Sequence, residues 1–215
     1  MEKTIVLMGM SGAGKDEVIN YISKTYNKEI SVSVTTRPIR RCETQGVEYI
    51  FVNDEEFSSY KPAIPIRTYN TAFGNWKYLT RTDVKGKIVI LDYNGAQSLC
   101  DYLGRENVIV IKLNVDMDII HNRLDSRGDC RDEIKRRLAD DVIKFKGSDD
   151  YADYVIDNND SLEELYTKLN VVMVYKTLDS LVENKTWHLI KNSIYLWYQL
   201  RLVSFLYTRG CNYVK

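Results

Sequence analysis

KTIVLMGMSGAGKD, residues 3–16, is an apolar run that turns through three glycines into a lysine and an aspartate. Lys3 to Met8 has the continuous apolar character of a strand buried on both faces. Asp16 to Lys24 repeats its apolar residues at helical spacing, with Val18, Ile19 and Ile22 on one face. Gly9-Met10-Ser11-Gly12-Ala13-Gly14-Lys15 therefore joins a strand to a helix, the context a phosphate-cradling Walker A loop requires. Glycines let backbone N–H groups converge on phosphate oxygens, and the helix N-terminus adds partial positive charge. Lys15 brings a full charge to the β and γ oxygens. The pattern calls for Ser or Thr after the lysine, where this chain has Asp16. A carboxylate is a hard oxygen ligand suited to magnesium, and it is also a helix cap.

Outward from the loop, Ile30 to Thr36 is β-branched and alternating, which predicts a strand, and Val47 to Val52 is a second apolar burst. Asn53 to Asp83, rich in aromatics and holding Pro62 and Pro65, reads as a small inserted subdomain with short strands. The α/β rhythm then resumes. Strands are expected at Ile88–Leu91, Val108–Leu113 and Tyr154–Ile156, and helices at Gly95–Leu103 and Asp116–Leu124. Arg127 to Asp141 is densely charged and helical beyond Cys130, and Ser161 with Glu164 forms a capping box opening a helix to Val174. This alternation predicts a parallel sheet with helices on both faces. Asp92 ends the apolar run Ile88–Leu91, the position from which a Walker B carboxylate holds magnesium.

The 215 residues are 44% hydrophobic and 28% charged, enough for a sizeable core, and the formal net charge is zero. Bulk charge thus gives no reason to expect a nucleic-acid or membrane-surface partner. The four cysteines (Cys42, Cys100, Cys130, Cys211) are scattered, as reduced thiols of a cytoplasmic protein would be, and the brief N-terminal apolar run is too short for a signal peptide. The tail after Lys176 is apolar-rich and is expected to be a helical extension, packed on the core or on a second copy in a homodimer.

The second dense signal lies in Ser31 to Phe51. Arg37 and Arg40, three apart and followed by Glu43 and Tyr49, can clamp a phosphate monoester through two guanidinia and a phenol. Here the sequence resembles the guanylate kinase family. Ser33, Thr35, Thr36, Arg37, Arg40, Glu43, Gly46, Tyr49 and Phe51 match the family's acceptor signature, with Cys42 in place of a glycine and Glu48 in place of an aspartate. Residues 74–80, GNWKYLT, are similar to its Gly-Asn motif with one residue inserted.

The resemblance implies an α/β P-loop NTPase fold: a parallel sheet flanked by helices (core about 1–33 and 86–175), an acceptor-binding subdomain (about 34–85) and a helical lid (about 123–147), ahead of an extension over 176–215. It implies ATP and Mg²⁺, and phosphoryl transfer to a nucleoside monophosphate, GMP first. Gly9, Ser11, Gly12, Ala13, Gly14, Lys15 and Asp16 would hold the donor, and Asp16 and Asp92 the metal. Lys15, Arg37, Arg40, Arg123, Arg127 and Arg137 would carry transition-state charge. Ser33, Glu43, Tyr49, Thr68, Tyr78, Thr80 and Asn94 would contact the acceptor. Thr68 and Asn94 stand where the family places acids that read guanine. A same-fold kinase acting on ribose 1,5-bisphosphate or a deoxynucleotide, and a non-catalytic peptide-binding module, are the other readings.

Overall fold

The computed structural model describes residues 2–40, 43–60, 63–71, 74–128 and 130–181. In chain order the elements are β1 (Thr4–Gly9), α1 (Lys15–Tyr26), β2 (Val34–Thr35), β3 (Ile50–Phe51), α2 (Asp54–Ser59), β4 (Ala63–Thr71), β5 (Gly74–Arg81), β6 (Ile88–Ile90), α3 (Tyr93–Leu103), β7 (Val108–Asn114), α4 (Met117–Ser126), α5 (Arg131–Lys144), α6 (Ser148–Tyr151), β8 (Tyr154–Asp157) and α7 (Leu162–Leu181).

The apolar runs at β1, β6 and β7 pair as expected for strands covered on both faces. The parallel sheet has the order β6-β1-β7-β8, with Val6 beside Val89 and Val110. All six residues of β1 are buried. Ala96, Leu99 and Cys100 of α3 close over Val6, Met8 and Val110, and each fully buried large aliphatic contributes about 1.5–3 kcal/mol. Because β1 is central and ends at Gly9, the loop after it opens at the carboxyl edge of the sheet, where α/β folds place their ligands.

A second, mixed sheet of order β3-β2-β5-β4 forms the insertion. Its hairpin is longer than the short strands expected, and a helix, α2, precedes it. Asn53 caps α2 through a reciprocal bond pair with Glu56, a capping signal present in the sequence. Six residues are too few to hold a helix alone, and the burial of Phe57 against Val34 and Leu79 anchors it. The strand expected over Ile30–Thr36 is only Val34–Thr35. Ile30 bridges to Ile88 beside the parallel sheet while Val34 pairs with Leu79 in the other sheet, so the segment crosses between sheets.

The chain divides into two compact units, Met1–Leu169 and Asn170–Lys215. In the second, the structure describes the last turns of α7, to Leu181. The rest of the expected extension, residues 182–215, lies outside the described residues. Among those described, no helix is long and apolar enough to cross a membrane, and Cys100 and Cys130 are free thiols.

Candidate active site

A cleft of about 340 Å³ runs along the carboxyl edge of the parallel sheet. Its first wall is the loop. Gly14, at φ +90°, is the N-cap of α1, and a Cβ there would stand 2.7 Å from Nδ2 of Asn158, so only glycine fits. Asn158 Nδ2 donates to Ala13 O at 2.9 Å. Arg123 donates to Gly12 O at 3.4 Å and to Asn158 O at 3.0 Å. Lys15 Nζ donates to the carbonyls of Gly9 and Met10, both at 2.8 Å. Burial pushes the Lys15 ammonium down, Asp141 and Asp16 push it back up, and Arg127 lowers it further. The amide of Ser11 donates to Oδ2 of Asp141 at 2.7 Å, so an anionic oxygen already sits where the loop aims its N–H.

The second wall comes from the Ser31–Arg37 segment and the insertion. Ser31 and Ser33, each 6% exposed, line the cleft, and their buried side-chain hydroxyls have no hydrogen-bond partner among the described residues. Arg37, 3% exposed, forks onto Glu43 through bonds of 2.9 and 2.7 Å, and its guanidinium lies 5.5 Å from the centre of the Tyr49 ring. Burial opposes the Arg37 cation, but Glu43 outweighs it and the pKa rises. Burial likewise raises Glu43, but Arg37 outweighs it and the carboxyl ends below its ordinary value. Glu43 also accepts from the Arg40 backbone at 2.9 Å, with the Arg40 guanidinium 3.8 Å away. Tyr49 meets Tyr78 edge-on with centroids 5.6 Å apart.

The third wall is α4 and α5. Arg127 lines the cleft and its guanidinium makes no hydrogen bond or ion pair among the described residues. Arg136 chelates Glu133 with two bonds of 2.8 Å, and Arg137 adds a third, also 2.8 Å. The Arg136 bonds above all, against burial and with Arg137 assisting, hold the Glu133 carboxyl from an ordinary 4.5 down to about 2. A carboxyl depressed in the folded state stabilises above its unfolded value and loses that contribution as pH falls toward the folded one. Discounted for solvent screening, the contribution here is about 1–2 kcal/mol, lost between roughly pH 5 and 2. Denaturant titrations are expected to show this loss in the wild type and a flatter acid limb in Glu133→Gln; equal acid limbs would contradict it.

The cleft collects Gly9, Ser11, Gly12, Lys15 and Asp16 from the first wall, Ser33, Arg37, Arg40, Glu43, Tyr49 and Tyr78 from the second, and Arg127, Arg137 and Asp92 around them. Several expected residues are placed elsewhere. Thr68 pairs with Lys77, so it shares Lys77's face of the hairpin, opposite Tyr78, and is exposed. Asn94 is exposed on the first turn of α3, off the cleft wall. Thr80 is 2% exposed and stands beyond the wall, opposite Ile64. Arg123 lies behind the loop, bonded to carbonyls. Asp92 lines the cleft, but its Oδ1 accepts from the Gly95 amide at 2.8 Å as the cap of α3. Asp16 is the second residue of α1, so the cap belongs to Gly14, and Asp16 lines the cleft.

Cleft residues not anticipated include Trp76, Glu48, Arg136, Asp141 and Lys144. Trp76 is two before Tyr78 on one strand, and Asp141 and Lys144 follow Arg137 by four and seven on one helix, so face periodicity signals both sets.

Residues 1–176 match the family model described as guanylate kinase. The chain belongs to the guanylate kinase family. It is thus an enzyme of the nucleoside monophosphate kinase class, and the family match ends near the point where the apolar-rich tail begins. The guanylate kinase of Agrobacterium fabrum is 31% identical over 165 residues, 73% of this chain and 74% of its own length. That of Hahella chejuensis is 33% identical over 172 residues, 74% of this chain and 82% of its own. The crystal structure of guanylate kinase from Anaplasma phagocytophilum aligns with a TM-score of 0.58 at 26% identity, over 82% of this chain and 88% of that one.

Proposed function

We propose that this guanylate kinase family member transfers the γ-phosphoryl group of ATP to GMP. The observation that carries the reading is the meeting of three cationic walls in one cleft: the loop with Lys15, the Arg37–Arg40 turn, and Arg127 just after α4 with Arg137 on α5. The triphosphate would lie along the loop amides, in the place the Asp141 carboxylate now marks as suited to an anion. The acceptor phosphate would meet Arg37, Arg40, Tyr49 and Tyr78. A bond from an acceptor phosphate oxygen to the γ-phosphorus forms as the bond to the β–γ bridging oxygen breaks, giving GDP and ADP. That oxygen is already ionised, so no general base is needed, and the chain's task is to orient two polyanions and offset their repulsion. The insertion and the α4–α5 segment would close over both substrates and exclude water.

Asp16 and Asp92 are hard oxygen donors on the cleft wall, which suits Mg²⁺ sharing its shell with phosphate oxygens. Bound there, the ion would neutralise charge on the β and γ oxygens.

With Thr68 and Asn94 off the wall, the edge of guanine would find its hydrogen-bond acceptors at Ser33, Ser31 and Glu48, and a π-face at Trp76. An unpartnered buried hydroxyl costs about 1–3 kcal/mol until a ligand satisfies it. Ser33→Ala is therefore expected to raise the thermal midpoint of the free protein while raising KM for GMP about tenfold. A lower midpoint with unchanged KM would show the hydroxyl to be structural.

The substrate reading is tested by ADP release with GMP, dGMP, AMP, CMP, UMP and ribose 1,5-bisphosphate in turn. GMP is expected to give the highest kcat/KM. A higher value for another acceptor would replace GMP, and no ADP with any of them would favour a binding module.

A further inference from the structure

Seven basic and six acidic side chains line the cleft, so its positive charge is largely neutralised from within. Three of these carboxylates have evident internal duties: Glu43 braces Arg37, Asp140 pairs with Arg136 at 2.7 Å, and Asp92 caps α3. Asp141 is different. Its Oδ2 accepts 2.7 Å from the Ser11 amide, and no hydrogen bond on its own helix accounts for the carboxylate. The bond ties the last turns of α5 to the middle of the loop, 130 residues away in sequence.

A loop amide has one hydrogen, and a phosphate oxygen and the Asp141 carboxylate both seek it. The carboxylate adds a charge that repels a polyphosphate and attracts Lys15, which is bonded to the loop carbonyls and so stays folded back. We infer that Asp141 is a competing internal ligand of the phosphate loop, an affinity-determining residue that ATP must displace from the Ser11 amide. Displacement frees α5, and with it Arg136, Arg137 and Lys144 on the same helix, to reposition as the donor enters. Donor binding is thereby coupled to movement of the basic wall, and weakened by the cost of breaking the bond.

The inference rests on the loop being the ATP site, and one experiment separates the two. Binding of ATP to the full chain, without acceptor, is measured by titration calorimetry for wild type, Asp141→Asn and Asp141→Ala, with Mg²⁺ and with a chelator. Asn keeps a neutral acceptor and Ala keeps none. Asp141 is half-buried on the cleft wall, and thermal melts are run alongside to check that both variants fold. The dissociation constant is expected to fall about tenfold in Asp141→Ala and less in Asp141→Asn, in both arms; a tenfold change is about 1.4 kcal/mol. Equal or weaker binding in the variants, with wild type binding ATP, overturns the inference and leaves the donor site standing. Weaker binding confined to the Mg²⁺ arm also overturns it and makes Asp141 a metal ligand. If neither wild type nor variants bind ATP, the assignment of the donor site falls, and the inference with it.

Discussion

Replacing Lys15 with alanine is expected to lower the turnover of ATP-dependent phosphoryl transfer by about a thousandfold, in a protein that still melts cooperatively. Lys15 is the one full positive charge on the loop itself. Its ammonium is held by two carbonyls at 2.8 Å each, and burial already disfavours the cation there. Held by carbonyls on the cleft wall, this cation is available to the developing charge on a transferring phosphoryl group. Loss of a single preorganised donor to such charge costs about 10²–10³ in rate, and a full charge belongs at the upper end. The two carbonyls it leaves can turn to solvent in the open cleft, so the fold persists. Near-normal turnover in Lys15→Ala would refute the site.

Arg37→Leu is expected to fail on two counts at once. Glu43, left without its fork in a largely buried position, destabilises the insertion. Breaking a buried pair costs about 3–5 kcal/mol, which in a chain of this length lowers the melting midpoint by roughly 6–20 °C. The acceptor phosphate loses its best-braced guanidinium, so KM for the acceptor rises about a hundredfold or more, on the scale of a lost charge-assisted fork. The double variant Arg37→Leu with Glu43→Leu separates the effects. Removing both charges restores most of the midpoint, because the unpaired carboxylate is gone, while transfer stays impaired. A single variant melting like wild type, or a double variant with normal KM, would contradict the assigned role.

The sequence reading was strongest where chemistry is encoded in short spacings. The loop, Arg37 with Arg40, and the strand-then-acid at Asp92 all reach the cleft, because each is a local pattern that a strand end carries with it. It was weakest where position depends on long-range register. The resemblance puts Thr68 where the family has a guanine-reading acid, but β4 shifts its pairing with β5 between Ile64 and Arg67. A one-residue slip exchanges the two faces of a strand, so that position falls on the wrong face. Ile30–Thr36 alternates like one strand but serves two sheets, a division no local pattern signals. Asp141 could not be assigned from the sequence because its partner is a backbone amide 130 residues away, and a backbone amide has no residue type to read.

The account turns on ATP and GMP lying end to end in one cleft. Its most direct test is phosphorus-31 NMR of the full chain mixed with ATP, GMP and Mg²⁺. The account predicts that GDP and ADP resonances grow together in equal amounts while inorganic phosphate stays at background. Inorganic phosphate rising in step with ADP, or ATP unchanged beside intact GMP, would contradict it.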